Sequence, residues 1–295
     1  MKRVIYLILT MFMTVINWSC KEDEIDRNNS IFKDPDPATK TEFDKWLLTN
    51  YTYPYNIVLK YKMQDIESNM TYELAPATVE KAIAFAKLIK HLWIEVFDDV
   101  AGSNFTKTYI PRIIHLIGSG AYNTNNTVLL GTAEGGLKIT LYRVNDLYPE
   151  TVTASLLVDR YLKTMFHEFA HILHQTKNYS EGFAKISNAN YVSDDWSSNS
   201  NTEAMAYELG FVSRYSRKEA NEDFVEIFAT FVVHGQEYWN NVLRRAGYKG
   251  ANIITQKFEI VQSYLQTAWN IDIYELRRNF ESRVASMHLL NLKSL

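Results

Sequence analysis

Among 295 residues there is one cysteine, Cys20. No disulfide can form within the chain, so the fold must rest on its core or on a bound metal. Charge of one sign is also lacking. The net charge is -3, and the 31 Lys and Arg are scattered among 34 Asp and Glu without forming a stripe. Such a surface has no general attraction for phosphate backbones, which argues against nucleic acid as a partner. Long apolar runs are absent as well: Val4 to Ile16 falls short of the roughly 20 residues needed to span a bilayer. There is no internal repeat and no low-complexity segment.

What is present begins with Lys2 and Arg3 ahead of that apolar run, the charged start and hydrophobic middle of a secretory signal. The alternative is a short anchor that stays on the protein. Ser19-Cys20 then resembles a bacterial lipoprotein cleavage site, in which the cysteine becomes the lipid-bearing first residue; Asn17 and Trp18 depart from the usual motif. Lys21-Glu22-Asp23-Glu24 looks like the signal that sends some lipoproteins to the outer face of the outer membrane, although a charge run is more often a solvated tether. The expectation is a signal peptide at 1–19, a lipidated Cys20 with a flexible tether at 20–37, and a folded domain at 38–295. Localisation is then the outer membrane, lipid-anchored, at the cell surface or on the periplasmic face. Asn-x-Ser/Thr triplets such as Asn69 to Thr71 would be inert in such a protein.

With 46% hydrophobic and 14% aromatic residues the chain can bury a sizeable core. A short helix is expected around Thr41 to Thr49 and a strand around Tyr55 to Lys62, where Tyr55, Ile57, Leu59 and Tyr61 alternate with polar neighbours. From Thr78 to Phe97, Val79, Ala82, Ile83, Ala86, Ile89, Trp93, Val96 and Phe97 recur at helical steps, a core stripe. Apolar runs at Ile110 to Ile117, Thr127 to Thr132 and Leu137 to Val144 read as strands, with Gly131, Gly135 and Gly136 marking a hairpin-like reversal. The last run alternates as if one face were wet, like an edge strand to which an extended substrate could add. After Ser155 the pattern is helical, apart from a polar stretch at Asn188 to Thr202 and a break at Gly247 to Gly250. The expected fold is therefore α+β, with a strand-rich lobe at 38–150 carrying a small mixed or antiparallel sheet and a helical lobe at 151–295.

His167-Glu168-Phe169-Ala170-His171 is an H-E-x-x-H pattern within a helical stretch. Residues four apart differ by only about 40° and about 6 Å on a helix, so both imidazoles can grip one ion. Zinc accepts such a pair, and Glu168 flanks it without ligating, ready to take a proton from water. A hydrolytic zinc needs a third protein ligand and an open position. The metzincin pattern would require Gly at 174 and His at 177, where the chain has His174 and Lys177. His174 lies two turns, about 10 Å, beyond His167, too far to share its ion; it backs a ligand, faces substrate or simply packs. Glu222 and Glu226, four apart beside Phe224, Ile227 and Phe228, offer one carboxylate for the metal and one for the ring N–H of a ligand histidine. Glu203 and Glu208 are held in reserve.

H-E-x-x-H with a distal glutamate resembles the gluzincin class. Tyr215-Ser216-Arg217 followed by Glu222-Asp223-Phe224-Val225-Glu226 is similar to the segment of the lethal-factor type of toxin metallopeptidase. That resemblance implies Glu222 as zinc ligand, Glu226 as support for a ligand histidine and Tyr215 as oxyanion donor, on a zincin-like domain. The mature chain, from Cys20 through Gly210-Phe211-Val212-Ser213 to the glutamate pair, resembles the zinc-binding metallopeptidase family of substrate import-associated zinc metallohydrolase lipoproteins. This implies one Zn2+ ion and partnership with a TonB-dependent outer-membrane import receptor and its lipoprotein. Two functions compete: a zinc peptidase acting on peptide or other amide bonds, and a zinc-stabilised scaffold of the import complex that turns nothing over.

Overall fold

The computed structural model describes residues 40–63, 71–122, 128–129, 131–134 and 137–295, with 128–129 and 131–134 as backbone alone. The signal segment, Cys20, the tether, Asn69 and the glycine pair 135–136 lie outside the described residues.

The first helix, α1 (Glu42–Leu47), starts at a capping box in which the Thr41 side chain accepts from the Asp44 N–H and the Asp44 carboxylate accepts from the Thr41 N–H. Such a cap contributes about 1 kcal/mol. The helical path continues through a π turn, Leu48–Thr52, and one last turn, Tyr53–Tyr55, before left-handed Asn56 ends it. Strand β1 (Val58–Lys60) is thus shorter than expected, because Tyr55 still belongs to the helical turn; Tyr55, Ile57, Leu59 and Tyr61 are nonetheless all buried.

Helix α2 (Val79–Ile89), capped by Thr78, passes through a π turn, Lys90–Ile94, into α3 (Glu95–Ala101). Its buried face is wider than the expected stripe. Ala84, Phe85, Leu88 and Leu92 are buried too, whereas Val79 at the helix start is exposed. Helix α4 (Ser103–Tyr109) leads to β2 (Ile113–Leu116). Strands β3 (Ala121–Tyr122) and β4 (Val128–Leu129) form a separate two-stranded ribbon. Strands β5 (Gly131–Glu134) and β6 (Lys138–Leu141) complete a four-stranded mixed sheet of order β1-β2-β6-β5, with β1, β2 and β6 parallel and β5 antiparallel to β6.

The expectation of an edge strand at Leu137 to Val144 is corrected here. Strand β6 lies inside the sheet, with β2 on one edge and β5 on the other, and Ile139, Thr140 and Leu141, which point to alternate faces, are all buried, so both faces of the strand are covered. The edges are β1 and β5, and β5 lies against the helix that carries the H-E-x-x-H pattern.

That helix is one continuous path: α5 (Ala154–Leu157), a π turn at Val158–Leu162, and α6 (Lys163–Thr176). After it come α7 (Gly182–Ser187), short 3-10 turns, α8 (Glu203–Glu208), α9 (Ala220–Val233), α10 (Gly235–Trp269) and α11 (Ile273–Ser286). Helix α9 does not dock by a stripe: every residue from Glu222 to Val233 is buried. A helix covered on all sides is a core element.

Two features lock α9 and α8 to α10. Asp223 and Lys257, both 0% exposed, form an ion pair at 2.6 Å, to which Tyr191 adds a hydroxyl donor at 3.0 Å; Lys257 also donates to the Gly210 carbonyl at 2.9 Å. At Gly250 a Cβ would stand 2.3 Å from the Tyr207 carbonyl oxygen, so only glycine allows the close crossing of α8 and α10. The expected break falls at Gly247, whose φ of 65° interrupts α10. Among the described residues no helix is long and apolar enough to cross a membrane.

Candidate metal centre

Helices α6 and α9 bring together the residues that the spacing singled out. Glu222 Oε2 lies 3.1 Å from His167 Nε2 and 3.3 Å from His171 Nε2, and the two imidazole nitrogens are 3.2 Å apart. Among the described residues these three are the group whose ligand atoms converge tightly enough for one ion. Zinc with ligands at about 2.0–2.1 Å in a tetrahedron needs its ligand atoms about 3.3 Å apart. The observed triangle has that size, and two imidazoles with one carboxylate are a donor set zinc accepts. The residues present therefore fit a single zinc ion with three protein ligands and one position left for water or substrate.

The atoms facing away from this triangle are held as well. His167 Nδ1–H donates to Glu226 Oε1 at 2.9 Å, which leaves Nε2 for the metal. Glu226 Oε2 accepts from Lys163 Nζ at 2.9 Å and from the Ser213 hydroxyl at 2.6 Å. The second oxygen of Glu222 accepts from Lys218 Nζ at 3.0 Å. His171 Nδ1 is bonded to His174 Nε2 at 2.9 Å, so His174 backs His171 on the side away from the triangle.

Electrostatics follow from this packing. Burial alone would push His167 down, yet its bonds to Glu222 and Glu226 carry it up to about 9. Burial alone would raise Glu222, but His167, His171 and Lys218 hold its carboxyl far below the usual range. Glu226 is likewise held low against its burial by Lys163, His167 and Ser213. Burial pushes His174 down to about 4, which keeps it a neutral imidazole able to accept.

Tyr215 sits in a 3-10 turn, Tyr215–Arg217, with its ring 5.8 Å from that of His167 and wedged by the edge of Trp196 at 4.8 Å. Burial and the Glu222 charge push its phenol well above its usual value, so it remains a donor. Half-buried Glu168, Tyr215, Lys163 and Thr164 and buried His167 line one cavity of about 210 Å³. The reserve carboxylates stand elsewhere: Glu203 is exposed and accepts from the Arg214 N–H at 3.1 Å, and Glu208 is exposed.

Lys163, Lys218 and Ser213 were not picked out by the sequence. Each lysine lies four residues before a site residue, His167 or Glu222, a spacing that puts it one helical turn away. Ser213 carries no such signal.

A crystal structure of a protein described as a "putative zinc-binding metallo-peptidase" from Bacteroides caccae ATCC 43185 has the same fold, with a TM-score of 0.77 and 41% identity over 90% of this chain and 99% of that one. No curated protein sequence matches. Residues 36–274 match the family described as "Putative zinc-binding metallo-peptidase", and the chain belongs to that family.

Proposed function

We propose that the chain is a zinc-dependent hydrolase of peptide or other amide bonds, anchored by a lipid on Cys20 at the outer membrane and serving a nutrient import system. The hydrolase reading is carried by one observation: the triangle of His167, His171 and Glu222 opens beside a cavity that also holds Glu168 and Tyr215. The envelope and import parts rest on the Ser19-Cys20 signal and on the family resemblance alone.

Zinc bound there would supply Lewis-acid chemistry and acidify water at neutral pH. Glu168 takes the proton from the attacking water and delivers it to the leaving amine. Tyr215 donates its O–H to the developing oxyanion, a role open to a phenol that stays protonated. Glu226 and His174 fix the tautomers of the two histidines. The outer edge of β5 beside α6 offers main-chain groups to an extended substrate.

The decisive experiment is Glu168→Gln. Loss of hydrolysis of a peptide library with stoichiometric zinc retained supports the enzyme. Unchanged growth on the imported nutrient would instead assign the protein as a scaffold. Cys20→Ala tests the anchor, since the lipidation reading requires the variant to leave the membrane fraction.

A further inference from the structure

The seam between α6 and α9 does not stop at the metal ligands. His171 faces Glu222 and His167 faces Glu226, so the two helices run in opposite directions. Stepping on by one turn at a time, the first helical path presents Lys163 and then Asp159, while His234 caps the end of α9. Asp159 and His234 meet in a second cavity, about 310 Å³ in volume, floored by Val158, Val233 and Phe280 and flanked by Glu281.

The two charged side chains that line this cavity, Asp159 and Glu281, are both acidic. Asp159 accepts only from the Ser155 hydroxyl, at 3.2 Å, and among the described residues neither Asp159 nor Glu281 has an ion-pair partner. The nearby cations have partners outside the cavity: Lys163 with Glu226 at 2.9 Å, Arg160 with Asp146 at 3.9 Å, and Arg277, whose charge also reaches Glu281, with the Gln236 side-chain oxygen at 2.8 and 3.0 Å. Burial and the charge of Lys163 push His234 down to about 4, so at neutral pH it adds no positive charge. An apolar floor beneath two carboxylates suits a ligand with an apolar stem and a cationic end, and the volume is at the small end of ligand pockets, roughly 300 Å³.

We propose that this cavity is a binding site for an amine or guanidine carried on an apolar stem. Asp159 and His167 are eight positions apart, about 12 Å along a helix, which an extended peptide covers in about three to four residues. Resting on the hydrolase reading, the cavity is then the subsite for a lysine or arginine side chain about three or four residues from the bond cleaved.

The test uses n-pentylammonium, with 1-pentanol as its neutral counterpart, titrated into the whole protein and followed by calorimetry. The amine should bind saturably and about tenfold or more tighter than the alcohol, and Asp159→Asn/Glu281→Gln should remove that advantage. Both substituted side chains are exposed, so the fold is not at stake. Equal binding of the alcohol, no saturation by the amine, or an unaffected double variant overturns the site. In a second arm the zinc-loaded protein receives peptides in which lysine is replaced by norleucine. Cleavage with no preference for lysine overturns the subsite assignment, whereas amine binding with no peptide cleaved leaves the cavity standing and removes the hydrolase reading.

Discussion

Nδ1 of His171 lies 2.9 Å from Nε2 of His174, so one ring must donate and the other accept. If His171 keeps Nε2 bare for a metal, its proton is on Nδ1 and His174 is the acceptor. The two ligand histidines are therefore supported differently, His167 by a carboxylate and His171 by a neutral ring. His174→Phe keeps the contacts with Tyr179 and Phe224 but removes the acceptor, and zinc affinity should fall about 10- to 100-fold. His174→Gln, which restores an acceptor oxygen, should recover most of it. Competition with a chelator measures both, and equal affinity in His174→Phe would remove His174 from this role.

The two glutamates of α9 should separate cleanly. Glu222→Ala deletes a ligand and should leave dialysed protein nearly free of zinc. Glu226→Gln keeps all three ligands but weakens the bond to His167, with an expected loss of about 10- to 100-fold in affinity. Elemental analysis distinguishes them. Stoichiometric zinc in Glu222→Ala would strike that residue from the ligand set.

Tyr215→Phe removes a hydroxyl and leaves the ring against Trp196. The expected outcome is kcat lowered by about 10²- to 10³-fold, with KM and zinc content little changed. A variant with undiminished kcat would leave Tyr215 as a packing residue.

His234 gives a pH dependence away from the metal. Its folded-state value, about 4, lies below the ordinary 6.5, so the unfolded chain takes up a proton there first. Its share of stability is present above pH 6.5 and is lost as pH falls toward 4. His234→Asn cannot titrate, and denaturant melts across this window should show a shallower decline, by about 1–2 kcal/mol after allowing for partial exposure. Parallel curves would refute the assignment.

Gly250→Ala tests the crossing of α8 and α10. The added methyl meets a backbone carbonyl that cannot swing aside, so about 1–3 kcal/mol of overpacking should outweigh the roughly 1 kcal/mol gain in helix propensity. A thermal midpoint equal to or above that of the parent would show that the helices move apart freely.

Much of the site was legible because helical spacing is a local code. His167 with His171, and Glu222 with Glu226, are each one turn apart, and a zinc-binding pattern needs nothing more to be noticed. Their meeting across two helices is a tertiary fact: the spacing offered Glu222 and Glu226 as one candidate pair beside Glu203 and Glu208, and the family resemblance chose between them. One partner of Glu226, Ser213, comes from the segment before α9, where no periodicity leads to it. The sheet was misread at Leu137 to Val144 because alternation reports side-chain polarity, and Lys138 and Thr140 look wet although Thr140 is covered. The width of the α2 face and the full burial of α9 were hidden for a related reason: sequence periodicity marks one face and is silent on how many neighbours press on the others.

The burial of α9 on every side bears on how readily the protein can accept its metal. Amide hydrogens in this helix should be among the slowest in the molecule to exchange with solvent, since releasing them requires opening the core itself. A carboxylate mounted on such a rod has little freedom left to lose when an ion arrives, so capture of the metal should carry only a small ordering penalty.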